Sequence, residues 1–173
     1  IEVRDPYYYD YPDNKMGRRL VGCDVAYVGS LDSDAAKKKA PTFHILTTHL
    51  ESLSENEKIR ANQFNFLVEA TKEIDELILA CDLSLFSYSE PVNNIILNNR
   101  FNDLWRETGM PVDSKDESKD TKDSKDNDRI SLFRPYKILY RIKENSKLQR
   151  KLRPVSIEEV KGTRVCLIGT FSI

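Results

Sequence analysis

The chain has 173 residues, enough for one domain with a buried core. Its 27 Lys+Arg against 28 Asp+Glu leave a net charge of −1, which excludes a whole-molecule positive field and leaves only a local basic patch to recruit nucleic acid. Three widely spaced cysteines, Cys23, Cys81 and Cys166, sit in apolar runs and favour reduced, buried thiols in a nuclear or cytoplasmic protein over a disulfide framework or a zinc site.

Residues 1–14, with Tyr7-Tyr8-Tyr9-Asp10-Tyr11-Pro12 at their centre, carry few aliphatic side chains and predict an extended Tyr-rich arm or loop. Its rings either stack on bases or, more simply, pack onto the body of the domain, residues 15–173. Residues 18–28 alternate apolar side chains and predict a strand. Residues 29–40 are small and polar, carry Lys37-Lys38-Lys39, and predict a hairpin connection to a returning strand over residues 42–48. Ser54-Glu55-Asn56-Glu57 has the pattern of a capping box and opens a helix to about residue 72, with Ile59, Phe66, Leu67, Ala70 and Ile74 as its apolar stripe. Gln63 on that stripe is expected as a buried amide bonded to nearby backbone. Residues 77–80 suit a central strand and residues 90–99 a short helix. Residues 101–105 lead into a loop at Gly109 and Pro111, with Trp105 as a core anchor. Residues 113–128 repeat Asp-Ser-Lys almost without apolar side chains and predict a disordered insert, whose near-neutral charge argues against a nucleic-acid tail. Residues 130–142 are strand-like with Pro135 at an edge or bulge, residues 143–153 a basic loop, and residues 163–173 a largely buried final strand. No apolar run is long enough to span a bilayer and no signal-peptide pattern opens the chain, so no membrane partner is expected.

Two polar clusters close two apolar strands. Thr48-His49-Leu50-Glu51-Ser52 ends the first, and Ala80-Cys81-Asp82-Leu83-Ser84 ends the second. Together they point to one site at the edge of a sheet. The plainer alternative is that His49 caps a strand end and Asp82 bonds turn amides. Histidine is otherwise scarce: His44 and His49 are the only two.

The order strand, His-Leu-Glu-Ser, helix with Arg60 and Gln63, strand, Cys-Asp-Leu-Ser resembles the endonuclease/exonuclease/phosphatase superfamily. Asp103-Leu104-Trp105-Arg106-Glu107-Thr108-Gly109-Met110-Pro111 makes it most similar to the tyrosyl-DNA phosphodiesterase 2 group. The resemblance implies an α/β fold, a DNase I-like four-layer β-sandwich flanked by helices and present here as a partial copy, with two mainly antiparallel sheets face to face. It implies that His49 contacts a scissile phosphate, that Asp82 activates water, and that Ser52 and Ser84 line the substrate site. Ser84 falls where the family has asparagine, and Cys81 where it has glycine.

Other positions depart from that pattern. The family's metal-holding asparagine and glutamate lie upstream of the region matching residues 15–20, where this chain has only about fourteen residues. Its terminal Ser-Asp-His falls on Cys166-Leu167-Ile168-Gly169-Thr170-Phe171, and no His follows residue 49 and no Asp follows residue 128. Its Asp-Arg pair reads Tyr136-Lys137, and its Tyr-Thr-Trp-Asp segment is missing. The expectation is therefore a degenerate phosphodiesterase-like domain with a vestigial His49–Asp82 pair, no metal ligands and no cofactor. It acts as a binding or scaffolding module for a protein partner, with single-stranded DNA or RNA as the other candidate ligand. The alternative is the C-terminal part of an active Mg²⁺-dependent DNA-repair hydrolase of the 5′-tyrosyl-DNA phosphodiesterase type.

Overall fold

A six-stranded sheet forms the centre of the molecule, in the order β1-β2-β3-β4-β6-β5. The computed structural model describes residues 1–26, 42–87, 89–108 and 135–142, the isolated positions 28, 33 and 40, and by backbone alone the strands Arg153–Val160 and Cys166–Ser172. Strands β1 (Glu2–Asp10), β2 (Arg19–Ala26) and β3 (Thr42–His49) form an antiparallel meander. Helix α1 (Glu57–Ala70) then crosses over to β4 (Glu76–Asp82), which runs parallel to β3. Helix α2 (Pro91–Asn98), the two-residue β5 (Asn102–Asp103) and α3 (Leu104–Thr108) follow. Strand β6 (Tyr136–Ile142) pairs antiparallel with both β4 and β5. Strands β7 (Arg153–Val160) and β8 (Cys166–Ser172) form a separate antiparallel pair; β7 lies against α3 and β8 against β6. The fold is mixed α/β, with one parallel strand pair in the larger sheet.

One face of the sheet buries Leu20, Leu46, Leu77, Leu79 and Leu139 against Phe64 and Leu67 of α1 and Val92 and Ile96 of α2. Proline at the first position of α2 presets the helical φ where no intrahelical N–H is needed. The opposite face holds a smaller cluster of Ile78, Leu104, Trp105 and Ile138.

Several expectations are corrected. Residues 2–10 are not an arm but edge strand β1. Its aromatic rings supply what aliphatics would: Tyr9 and Tyr11 pack edge-on against Phe66 at 6.4 and 5.8 Å between centroids. Tyr11 is buried and its hydroxyl hydrogen-bonds Thr48 Oγ1 at 2.7 Å. Tyr7 lies across Gly22, where an added Cβ would meet the ring at 2.8 Å and Leu46 at 2.3 Å, so glycine is needed there. Pro6 is tolerated because β1 has an open edge and a bulge between Arg4 and Tyr7. The capping box does not form. Residues Ser54–Asn56 make a 3₁₀ turn, and α1 starts after Asn56 with no side-chain cap.

The buried stripe of α1 is Arg60, Gln63, Phe64 and Leu67, while Ala70 is exposed and Ile59 and Phe66 sit at the stripe's border. Gln63 and Leu67 fall where expected; Arg60 joins the stripe because Glu90 pairs with it in the interior. Residues 104–108 form a helix, the loop expected at Gly109 and Pro111 lies outside the described residues, and Trp105 is half-buried against the Leu104–Ile138 cluster rather than fully in the core. Strand β7 was not foreseen, and it takes in Arg153, the end of the predicted basic loop. The lysine-bearing connection and the insert at 113–128 lie outside the described residues, apart from Ser33 and Ala40. Among the described residues Cys23 and Cys81 are free thiols, and no helix is long and apolar enough to cross a membrane.

Candidate functional site

Strands β3 and β4 are parallel neighbours, and His49 and Asp82 are register partners at their carboxyl ends. In an open sheet, loops leaving the carboxyl ends of parallel strands converge on one crevice. Here they bring His49, Ser52, Asp82 and Ser84 together, with His49 Nε2 3.4 Å from Asp82 Oδ2 and 3.1 Å from Ser84 Oγ. Ser52 Oγ lies 3.4 Å from both His49 Nε2 and Ser84 Oγ. The Asp82 side chain also serves its own turn, accepting the Ser84 backbone N–H at 2.8 Å. Both readings of Asp82, turn residue and cluster member, therefore hold at once.

A fifth member had no sequence signal. Arg18 precedes β2, and the antiparallel register sets Leu20 beside Thr48. A closed turn fixes it: Arg18 N donates to Asn14 Oδ1 at 2.7 Å, Asn14 Nδ2 donates to Arg18 O at 2.8 Å, and Gly17 takes φ +70° between them. Its guanidinium reaches His49 Nδ1 and Ser52 Oγ, each at 3.0 Å. Only knowledge of the β2–β3 pairing would have singled it out.

Guanidinium nitrogens are donors only, so Arg18 makes His49 Nδ1 an acceptor. The imidazole proton then sits on Nε2 and faces Ser84 and Asp82. Burial lowers the histidine titration below its ordinary range; Asp82 and Glu51 pull it back up, and Arg18 adds to the lowering. His49 is thus a neutral hydrogen-bond donor whose other nitrogen is blocked, a poor arrangement for a general base. It opens on a groove of about 520 Å³ along the sheet face away from α1 and α2, floored by Val21, Ala80 and Ile138.

Polar contacts hold the two loops. Glu51 N donates to Gln63 Oε1 at 2.8 Å and Gln63 Nε2 to Asp13 O at 2.9 Å, the buried-amide role expected of Gln63. Below Asp82, Cys81 is buried, which pushes its thiol titration well up, and Lys137 is buried against Asp103 at 2.9 Å.

No protein-family model and no curated protein matches the sequence. Solved structures do match in shape. D. rerio TDP2 humanised by 14 mutations superposes with a TM-score of 0.66 at 16% identity, over 99% of this chain and 66% of that one. D. rerio TDP2 complexed with a single-strand DNA product gives 0.65 at 18% identity, over 99% and 68%. The human Nocturnin catalytic domain with bound sulfate gives 0.63 at 15% identity, over 99% and 59%.

The fold is DNase I-like.

The chain spans about two thirds of the length of these DNase I-like neighbours. A DNase I-like site of the phosphodiesterase kind implies Mg²⁺, which takes hard oxygen ligands in octahedral geometry. The described residues do not fit it. Among the described residues Asp82 is the one carboxylate in contact with the cluster, which already holds the Arg18 cation. Glu51 is fully buried, with Oε2 accepting Lys15 N at 3.1 Å and Gln63 Nε2 at 3.3 Å. Among the described residues no group of three or more His, Cys, Asp or Glu side chains gathers to hold a metal.

Proposed function

We propose that this chain is a phosphodiesterase-like domain that binds a phosphate-bearing ligand without hydrolysing it and serves as a binding or scaffolding module. The observation that carries this reading is Arg18. Its guanidinium supplies the cluster's positive charge and fixes His49 as a donor at Nε2. Arg18, His49, Ser52 and Ser84 offer donors to a phosphate oxygen, and charge-assisted donors are the strong ones. Turnover would also need a metal or another means of stabilising charge on phosphorus. The strand Cys166–Ser172 brings neither His nor Asp to that task.

Single-stranded DNA is the first ligand to test, because D. rerio TDP2 holds it as product. A 5′-phosphorylated single-stranded oligonucleotide titrated against the chain in EDTA is expected to bind. Arg18→Gln is expected to weaken binding about tenfold or more, the scale of one charged hydrogen bond. Asp82→Asn, which removes a nearby negative charge, is expected to tighten it. Binding that requires Mg²⁺, or no binding at all, would contradict the proposal. The second reading is the C-terminal part of an active Mg²⁺-dependent 5′-tyrosyl-DNA phosphodiesterase-like hydrolase, acting in DNA repair with a protein partner or a further segment supplying the missing ligands. One observation favours it: the chain spans only part of the DNase I-like structures it matches.

A further inference from the structure

The geometry points to the buried pair Arg60–Glu90 as a positioning device that sets the approach of the two loops carrying Ser52 and Ser84. Both side chains are nearly inaccessible, at 0% and 3% exposure. The pair is a fork: Arg60 Nε donates to Glu90 Oε2 and Nη2 to Glu90 Oε1, each at 2.9 Å. The remaining nitrogen serves the first loop, where Nη1 donates to the carbonyls of Glu51 at 3.2 Å and Leu53 at 2.6 Å, on either side of Ser52. Asn56 holds the Ser52 carbonyl between them at 2.6 Å.

On the second loop, Glu90 Oε1 also accepts the backbone N–H of Phe86 at 2.7 Å, and the Phe86 ring lies 5.2 Å from the guanidinium carbon. One side-chain pair therefore bonds the backbone of both strand-end loops.

Each loop also holds strained backbone. Leu53 has φ 75° and Ser84 φ 49°, a left-handed region that side-chain-bearing residues avoid unless surroundings impose it. The Leu53 carbonyl is the one to which Arg60 donates, so the fork holds the strained residue that turns the chain away from Ser52. Simple stability does not demand an ion pair here, because well-packed apolar side chains replace buried pairs with little loss or a gain. What an apolar pair cannot do is bond three backbone groups on two loops at once.

This inference concerns the geometry of the cluster and does not depend on its ligand, so it is tested by NMR on His49 rather than by binding. The groups facing that ring are Arg18, Asp82, Ser52, Ser84 and, further off, Glu51. The double variant Arg60→Met/Glu90→Leu is expected to fold, with unchanged circular dichroism. The His49 titration is expected to rise toward the ordinary histidine value of about 6.5, with both ring tautomers populated. A folded double variant whose His49 keeps its titration and its single tautomer would reduce the pair to a packing role and overturn the inference. Should the double variant not fold, Arg60→Lys keeps the buried cation but loses the fork. It is expected to move His49 in the same direction, and an unmoved His49 there would overturn the inference equally.

Discussion

On the helix side of the sheet Leu20, Leu77, Leu79 and Leu139 are fully buried, whereas on the other side Val21 is 42%, Ile45 40% and Tyr136 46% exposed. Both sides are apolar along β2, β3 and β4, a pattern typical of strands covered on both faces. Among the described residues α3 and Trp105 pack the part of the second side around Ile78 and Ile138, and Phe43 is buried further along it. The two faces therefore divide the work. The helix side holds the fold together, and the other side carries the groove that leads to His49 and Asp82.

Substitutions should separate the faces. Phe64, fully buried and edge-on to Phe101 at 5.7 Å, lies at the centre of the helix side. Phe64→Ala should cost about 3–5 kcal/mol in urea unfolding, the range for emptying a large aromatic site. A smaller loss would mean that the helix layer is not the principal core.

A smaller effect belongs to the border between the faces. The His49 titration is lowered in the folded chain relative to the unfolded one. Just below the ordinary histidine range the unfolded chain therefore binds a proton that the folded chain does not, and stability falls as pH drops through that interval. The loss stops once folded His49 is protonated as well. Urea midpoints measured across that interval should slope this way in the wild type and flatten in His49→Gln; equal slopes would remove the effect.

On the open face, Ile45→Thr should change stability by no more than about 0.5 kcal/mol, as for other exposed positions. A loss as large as that of a core site would show that this face is covered in solution.

How much of this was legible in the sequence depended on where the stabilising partners lie. Strands β2, β3 and β4 and helix α2 were legible because their apolar runs and the N-terminal proline are local signals. The juxtaposition of His49 with Asp82 followed from reading polar clusters at the ends of apolar strands. Strand β1 was not legible, because Tyr9 and Tyr11 are anchored by Phe66, a residue distant in sequence. On α1 the buried amide of Gln63 was legible, but Arg60 was not, because it is buried by Glu90, a partner on another segment. Arg18 stayed invisible for the same reason: its place beside His49 is a product of sheet register. Local periodicity reveals elements, whereas charged residues such as Arg60 and Arg18, placed by distant partners, emerge with the topology.

The central claim is that the cluster around His49 binds without turning over. Incubation of the chain with 5′-phosphotyrosyl single-stranded DNA in Mg²⁺ or Mn²⁺, with product resolved on a denaturing gel, tests it most directly. The account predicts no metal-dependent cleavage above background, and the same result for wild type and Asp82→Asn. Metal-dependent product formation that disappears in Asp82→Asn would contradict it and establish the chain as part of a working hydrolase.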